Sequence, residues 1–159
     1  TDSDVPPRVK AGANYQNSRL AMVEARIDGY DSAILLNRFG KVAEGPAACV
    51  FLVRGDQVST PETTAGTLES VTRQTLIQLL RNEVGVDAVE REIDKTEMYV
   101  ADEMFFCGTG AEIAPVLSVD RYPVGGGRPG HLTNTLRKLY YDVVRGERDQ
   151  YMEWLSALR

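Results

Sequence analysis

The sequence has few of the side chains that bind metals or cross-link secreted proteins. Its 159 residues include two cysteines and one histidine. Cys49 and Cys107 lie far apart along the chain, and they have neither the spacing of zinc ligands nor the density of a disulfide framework. We therefore predict that the protein has no metal site and that its thiols are free in a reducing, cytoplasmic compartment.

Long apolar runs and an excess of basic residues are also missing. No stretch approaches the roughly 18 uninterrupted apolar residues of a membrane helix, and Thr1–Pro7 lacks the regions of a signal peptide. Acidic residues outnumber basic ones, 23 to 18, and the net charge is −5. These features exclude a membrane protein and argue against nucleic acid as a partner. A hydrophobic content of 43% is ordinary for a soluble globular domain.

The first clear pattern is helical. Between residues 14 and 29, the apolar residues Leu20, Val23 and Ile27 recur at helical spacing. We predict that this segment is a helix and that its apolar stripe packs on a sheet.

The remaining pattern mixes strands and helices. Apolar runs over 49–53 and 57–60 flank a turn and predict a β-hairpin. A helix is predicted over 69–83, and Gly85 should end it. The other predicted elements are extended segments over 42–44, 88–93, 104–107 and 113–119, a short helix over 95–101, a turn-rich edge over 122–127, and helices over 132–144 and 148–158. This order predicts a single α/β (mixed α+β) domain.

Four motifs carry residue types that suit one kind of chemistry. Lys10 has small neighbours that leave room for a planar ring, and a lysine in its neutral form can attack an aldehyde. Glu44 is an acid that could face a ring nitrogen. Ser70–Thr72 begins a predicted helix, whose free N–H groups suit a phosphate, and Phe106–Val116 contains a tight glycine turn. Singly, such motifs are usually a solvated lysine, a turn acid and a plain capped helix, but together they favour one site.

In these motifs the chain resembles the fold-type IV (class IV) pyridoxal phosphate aminotransferases, and most closely the branched-chain amino acid aminotransferases. The matching runs extend from about Lys10 to Pro129. Ala101–Phe106, followed by Glu112–Val116, favours the branched-chain branch over the D-amino acid aminotransferases and aminodeoxychorismate lyases of the same fold. The resemblance implies the large C-terminal domain of the class IV (D-amino acid aminotransferase-like) fold, with mixed sheets wrapped by helices.

The resemblance also implies pyridoxal 5'-phosphate as the cofactor and gives the motif residues their roles. Lys10 would hold the cofactor covalently and carry the catalytic proton. Glu44 would keep the pyridine nitrogen protonated, and Tyr15 would hydrogen-bond the 3′-oxygen of the ring. Leu68 would pack on the ring face.

The remaining implied contacts are to the two anionic groups. Val71, Thr72 and Thr109 would bind the cofactor phosphate, and the N–H groups of Gly110 and Ala111 would face the α-carboxylate of the substrate.

Two positions depart from the family pattern. Cys49 stands where asparagine is usual, and Glu69–Val71 lacks the usual glycine before the helix start. Neither change removes a direct cofactor contact, so we expect both to affect substrate fit.

The resemblance further implies a division into domains. Residues 1–9 would be the remnant of an interdomain linker, and residues 10–159 the cofactor-binding large domain. The small N-terminal domain is absent from this chain, and Thr1 stands in place of an initiator methionine. We therefore expect a chain cut from a longer polypeptide, such as one of two cleaved chains, that binds cofactor weakly alone.

The expected activity is transfer of an amino group between a branched-chain-like amino acid and a 2-oxo acid, by a homodimer or higher assembly. Two alternatives stay open. One is a lyase of the same fold that resembles aminodeoxychorismate lyase, and the other is a non-catalytic homologue used for ligand binding or assembly.

Overall fold

The computed structural model describes residues 6–156, and these residues form a mixed α/β structure. The helices are α1 (Tyr15–Ile27), α2 (Val71–Leu79) and α3 (His131–Val144), and a π-helical turn over Leu80–Val84 extends α2. The strands are β1 (Leu35–Leu36), β2 (Val42–Glu44), β3 (Cys49–Arg54), β4 (Gln57–Pro61), β5 (Ala88–Arg91), β6 (Glu103–Gly108), β7 (Glu112–Pro115), β8 (Ser118–Val119) and β9 (Tyr122–Pro123). Short 3₁₀ helices cover Gly12–Asn14, Thr63–Ala65, Lys95–Val100 and Asp149–Trp154.

The main sheet has five strands in the order β5-β4-β3-β6-β7. Its pairs are antiparallel except for β4 and β5, which are parallel. Alternate residues of β3 and β6 enter two separate cores. Phe51 and Phe105 stack with ring centroids 5.1 Å apart in the core beneath α2 and α3, while Val50 and Met104 belong to the core on the other face. Because both faces are covered, β3 and β6 are nearly continuous apolar runs rather than alternating ones.

Most of the predicted elements are confirmed, and the predicted fold class is confirmed with them. The hairpin pairs Arg54 with Gln57 around a two-residue turn. The helical segment that contains α2 ends at Gly85, whose positive φ of 74° is a conformation that glycine adopts without strain. In the part of the chain that the structure describes, no helix is long and apolar enough to cross a membrane.

The prediction that the apolar stripe of α1 packs on a sheet is wrong. Leu20, Val23 and Ile27 are 70%, 55% and 80% exposed, whereas the buried residues of the helix are Ser18 and Ala25. The spacing of apolar residues predicted the helix correctly, but such a pattern does not specify which face meets the rest of the chain. The helix therefore presents an apolar face to solvent.

The predicted strand over 113–119 is also divided in two. Strand β7 ends at Pro115, and Val116 donates its N–H to the carbonyl of Met104 before the chain leaves the sheet. Strand β8 then pairs with β9 around Asp120 and Arg121, which have positive φ values of 49° and 69°. Such values at both central residues are typical of a tight hairpin turn.

The helices predicted over 95–101 and 148–158 are found as the 3₁₀ helices Lys95–Val100 and Asp149–Trp154 rather than as α-helices. Residues 157–158 of the second prediction lie outside the described residues.

A carboxylate from β6 caps the start of α3. Glu103 accepts hydrogen bonds from the N–H groups of Leu132 and Thr133, at 3.1 and 2.8 Å, and from the Thr133 hydroxyl at 2.6 Å. The first N–H groups of a helix have no intrahelical acceptor, so an acid there satisfies them and also complements the helix dipole. Gly130 makes room for this contact, because a Cβ atom at that position would lie 1.9 Å from Cδ of Glu103.

We predict that Gly130→Ala lowers the free energy of unfolding by about 1–3 kcal/mol, because the new methyl group displaces the Glu103 cap. Urea unfolding measures the change. Gly126→Ala is the matched control, since its Cβ would meet no atom closer than 3.7 Å, and it should cost less than about 0.5 kcal/mol. Equal effects of the two substitutions would contradict the proposed role of the cap.

Candidate functional site

One large cavity of ≈ 1170 Å³ lies where the segment before α1, the β1–β2 region, the start of α2 and the end of β6 meet. Residues far apart in sequence therefore share one wall. The predicted site residues on this wall are Lys10, Tyr15, Glu44, Leu68, Val71 and Thr109.

Three predicted site residues do not line the cavity. Thr72 follows Val71 in α2 but is only 4% exposed, and Gly110 and Ala111 lie in the turn beyond Thr109. Their predicted contacts through backbone N–H groups or a hydroxyl stay predictions.

Glu44 is the half-buried acid of the cavity. It is the last residue of β2, and its Oε2 accepts a hydrogen bond from the Leu68 N–H at 3.1 Å. Burial raises the pKa of Glu44 above its usual value, and the Leu68 hydrogen bond opposes this only in part. A cation in the cavity would stabilise the ionised form, so the acid suits a protonated ring nitrogen.

The start of α2 has the backbone geometry that suits an anion. Ser70 is the N-cap, and its hydroxyl accepts a hydrogen bond from the Arg73 N–H at 3.3 Å. The N–H groups of Val71 and Thr72 have no intrahelical acceptor, and Ser70 and Val71 line the cavity. A phosphate at this end would meet free donors and the positive end of the helix dipole.

Arg73 holds that helix start against the sheet, and the sequence-based reasoning missed it. The side chain is 3% exposed. It donates to the Thr60 hydroxyl at 3.3 Å, to the Pro61 carbonyl at 2.9 Å and to Glu90 at 2.6 Å. Arginine in a first helical turn is usually solvated, so nothing in the local pattern indicated that it turns inward.

The segment that carries Lys10 is held from two sides. Asn14 donates its side-chain N–H groups to the carbonyls of Pro6 and Val9, at 2.8 and 2.7 Å. Arg8 pairs with Glu69 at 2.7 Å, and this contact joins the segment to the loop before α2. Asn14 belonged to a recognised motif, whereas Arg8 had no signal in the sequence.

Two glycines allow the turn after β2 to pack closely on strand β6. A Cβ atom on Gly108 would lie 3.1 Å from the Ala47 carbonyl oxygen, and one on Gly45 would lie 2.7 Å from the Phe106 ring. The turn after Glu44 therefore packs directly on β6, and this contact brings Thr109 to the same cavity as Glu44. Among residues 6–156, no cluster of three or more histidine, cysteine or acidic side chains is arranged to hold a metal.

Comparison with known proteins agrees with this geometry. The profile of the family described as amino-transferase class IV matches residues 2–119. The chain is 41% identical over 157 residues to the probable branched-chain-amino-acid aminotransferase of Aquifex aeolicus (strain VF5), and the match covers 99% of this chain and 50% of that protein.

Solved structures show the same likeness. The branched-chain amino acid aminotransferase from Thermobaculum terrenum in PLP-form (holo-form) has a TM-score of 0.96 and 50% identity, over 98% of this chain and 51% of that one. The T.th. branched-chain amino acid aminotransferase complexed with N-(5'-phosphopyridoxyl)-L-glutamate has a TM-score of 0.95 and 35% identity, over 99% of this chain and 52% of that one. The chain thus spans about half the length of the relatives it matches. With most of its length matched by the family profile, the chain belongs to the class IV aminotransferases.

Proposed function

We propose that this chain is the cofactor-binding part of a pyridoxal phosphate-dependent aminotransferase that acts on branched-chain amino acids and 2-oxo acids. The observation that carries the proposal is that Lys10, Glu44 and the start of α2 line one cavity. In this proposal, residues 10–159 form the large domain and residues 1–9 belong to the linker that precedes it.

Pyridoxal phosphate supplies an aldehyde for the amino group and a pyridinium ring that withdraws electrons from the α-carbon. Lys10 would hold the cofactor through its amine at the aldehyde carbon, and the same amine would carry the proton that the substrate α-carbon loses. Glu44 would accept a hydrogen bond from the protonated ring nitrogen. Pairing with this cation offsets the burial that raises the pKa of Glu44.

The other residues orient the two ligands. Tyr15 would hydrogen-bond the 3′-oxygen, and Leu68, whose N–H binds Glu44, would pack against the ring. Val71, Thr72 and Thr109 would hold the phosphate. In the turn after β6, Gly110 and Ala111 would offer N–H groups to the α-carboxylate of the substrate.

The choice of substrates rests on the relatives. The Aquifex and Thermobaculum proteins are described as branched-chain aminotransferases, and the T.th. enzyme was solved with a phosphopyridoxyl derivative of glutamate. Glutamate and 2-oxoglutarate are therefore one proposed amino donor and acceptor pair. We place the protein in the cytoplasm, where free cysteines are the ordinary resting state, as both are here.

Assembly into a homodimer is supported by α1. Leu20, Val23 and Ile27 form one exposed apolar face, and burial of such side chains is favourable by about 1.5–3 kcal/mol each. We propose that a second copy of the chain covers this face.

The cofactor proposal predicts one covalent attachment site. After incubation with pyridoxal phosphate and reduction with borohydride, peptide mapping should find the pyridoxyl group on Lys10. Lys10→Ala should abolish this label, because Lys10 is the one lysine that lines the cavity within the described part of the chain. Lys138→Ala is the control, since this exposed lysine of α3 lies outside the cavity wall. A label spread over several lysines, or unchanged in Lys10→Ala, would refute the assignment.

The reaction proposal predicts that leucine and 2-oxoglutarate yield glutamate, measured on the longest natural polypeptide that contains this sequence. Pyruvate release from aminodeoxychorismate without leucine turnover would instead indicate the lyase. Attachment at Lys10 with no turnover of either substrate would favour a binding role.

The assembly proposal predicts that Leu20→Lys combined with Ile27→Lys shifts the protein from dimer to monomer in light scattering. Val144→Lys, which places one such charge on an exposed apolar residue of α3, should leave the dimer intact. A wild-type protein that is monomeric at high concentration would contradict the proposal that a second copy of the chain covers this face.

A further inference from the structure

The two cysteines of the chain are direct partners in the central sheet. Cys49 begins β3, and Cys107 lies opposite it in β6. They are 3% and 0% exposed to solvent, and both line the large cavity. Residues 49 and 107 are the only cysteines in the sequence, so the antiparallel pairing brings every thiol of the chain to one place.

Sheet geometry sets the separation of the two side chains. Residues directly opposite in an antiparallel pair project from the same face, with Cβ atoms about 4.5–5.5 Å apart. A disulfide requires Cβ atoms about 3.5–4.5 Å apart and Cα atoms about 4.4–6.8 Å apart. The Cα separation of opposite residues, about 4.5 or 5.5 Å, already lies in this range. Closing the bond therefore needs a local adjustment of about 1 Å at most, with no change of register.

The surroundings of the pair make the two thiols unequal. The hydrogen bond from the Cys107 thiol lowers the pKa of Cys49, and the Ser70 hydroxyl acts in the same direction. The same pairing and burial raise the pKa of Cys107. Cys49 is therefore the thiol that ionises first, and thiolates are the reactive form.

We propose that Cys49 and Cys107 are a site of reversible oxidation, at which a hydroperoxide entering the cavity converts the opposed thiols into a disulfide. The Cys49 thiolate attacks the peroxide oxygen, the O–O bond breaks, and the departing alkoxide or hydroxide takes a proton. Cys49 is then a sulfenic acid. The Cys107 sulfur attacks the Cys49 sulfur, and the hydroxyl leaves with the Cys107 proton as water. In sum, two thiols and one hydroperoxide give one disulfide, one alcohol or water molecule, and one further water.

Formation of the disulfide would change a contact in the cavity wall. The Cys49 thiol donates to the Leu68 carbonyl at 3.6 Å, and the Leu68 N–H binds Glu44. Oxidation removes the Cys49 proton, so this contact to the loop before α2 is lost. Because opposite residues of a sheet hold their Cβ atoms farther apart than a relaxed disulfide does, thiol reductants should reopen the bond readily. The inference depends on the sheet and the cavity alone and does not rest on the proposed transamination.

The test uses the wild-type protein and hydrogen peroxide. After treatment, alkylation and digestion without reductant, we expect a single peptide pair linked through Cys49 and Cys107, and an intact mass lower by two hydrogen atoms. Dithiothreitol should restore both thiols. Independent sulfinic or sulfonic acids on the two cysteines, a disulfide found only between two chains, or thiols unchanged by peroxide that oxidises free cysteine would each overturn the proposal.

Two serine variants test the order of events. Cys107→Ser should leave Cys49 as a sulfenic acid that dimedone traps, whereas Cys49→Ser should give little dimedone adduct. Urea unfolding establishes that each variant is folded before the comparison. Equal trapping in the two variants would refute the assignment of Cys49 as the attacking thiol, and the wild-type measurement stands independently of both.

Discussion

The antiparallel pairing of β3 with β6 is the contact on which the rest of the structure depends. The two strands are the centre of the five-stranded sheet, and their alternate side chains fill both cores. Phe51 and Phe105 meet at the middle of this pair. The register that aligns these rings also sets Cys49 opposite Cys107. It also positions the end of β6 beside the cavity. A shift by one residue would turn every one of these side chains to the other face of the sheet.

The cavity is built at the edges of these elements, and polar contacts hold the segments that line it. Arg73 fastens the start of α2 to β4 and β5, and Glu44 holds Leu68 through a backbone hydrogen bond. Asn14 ties down the segment with Lys10. The proposed function would place an amine, an acid and a phosphate around one ring, and such support matters there because small displacements weaken all three contacts together.

The sequence supported different parts of this picture to different degrees. Six of the nine predicted site residues line one cavity, whereas Thr72, Gly110 and Ala111 do not. Arg73 and Arg8 were missed because their partners, Glu90 and Glu69, lie in other segments. The stripe of α1 was placed in the core, yet the helix buries Ser18 and Ala25 instead. Periodicity reports that a helix has an apolar side but carries no information about the surface that this side meets.

The sequence alone established those features that depend on interactions within a few residues of the chain. The hairpin before Pro61, the helix end at Gly85 and the capped start of α2 follow from turn, cap and propensity preferences that act within a few residues. Tertiary structure decided the contacts between distant segments. It buried Arg73, set Glu103 under α3 and brought the two thiols together across β3 and β6. These arrangements depend on sheet register and on which surfaces pack together, and no short stretch of sequence encodes either.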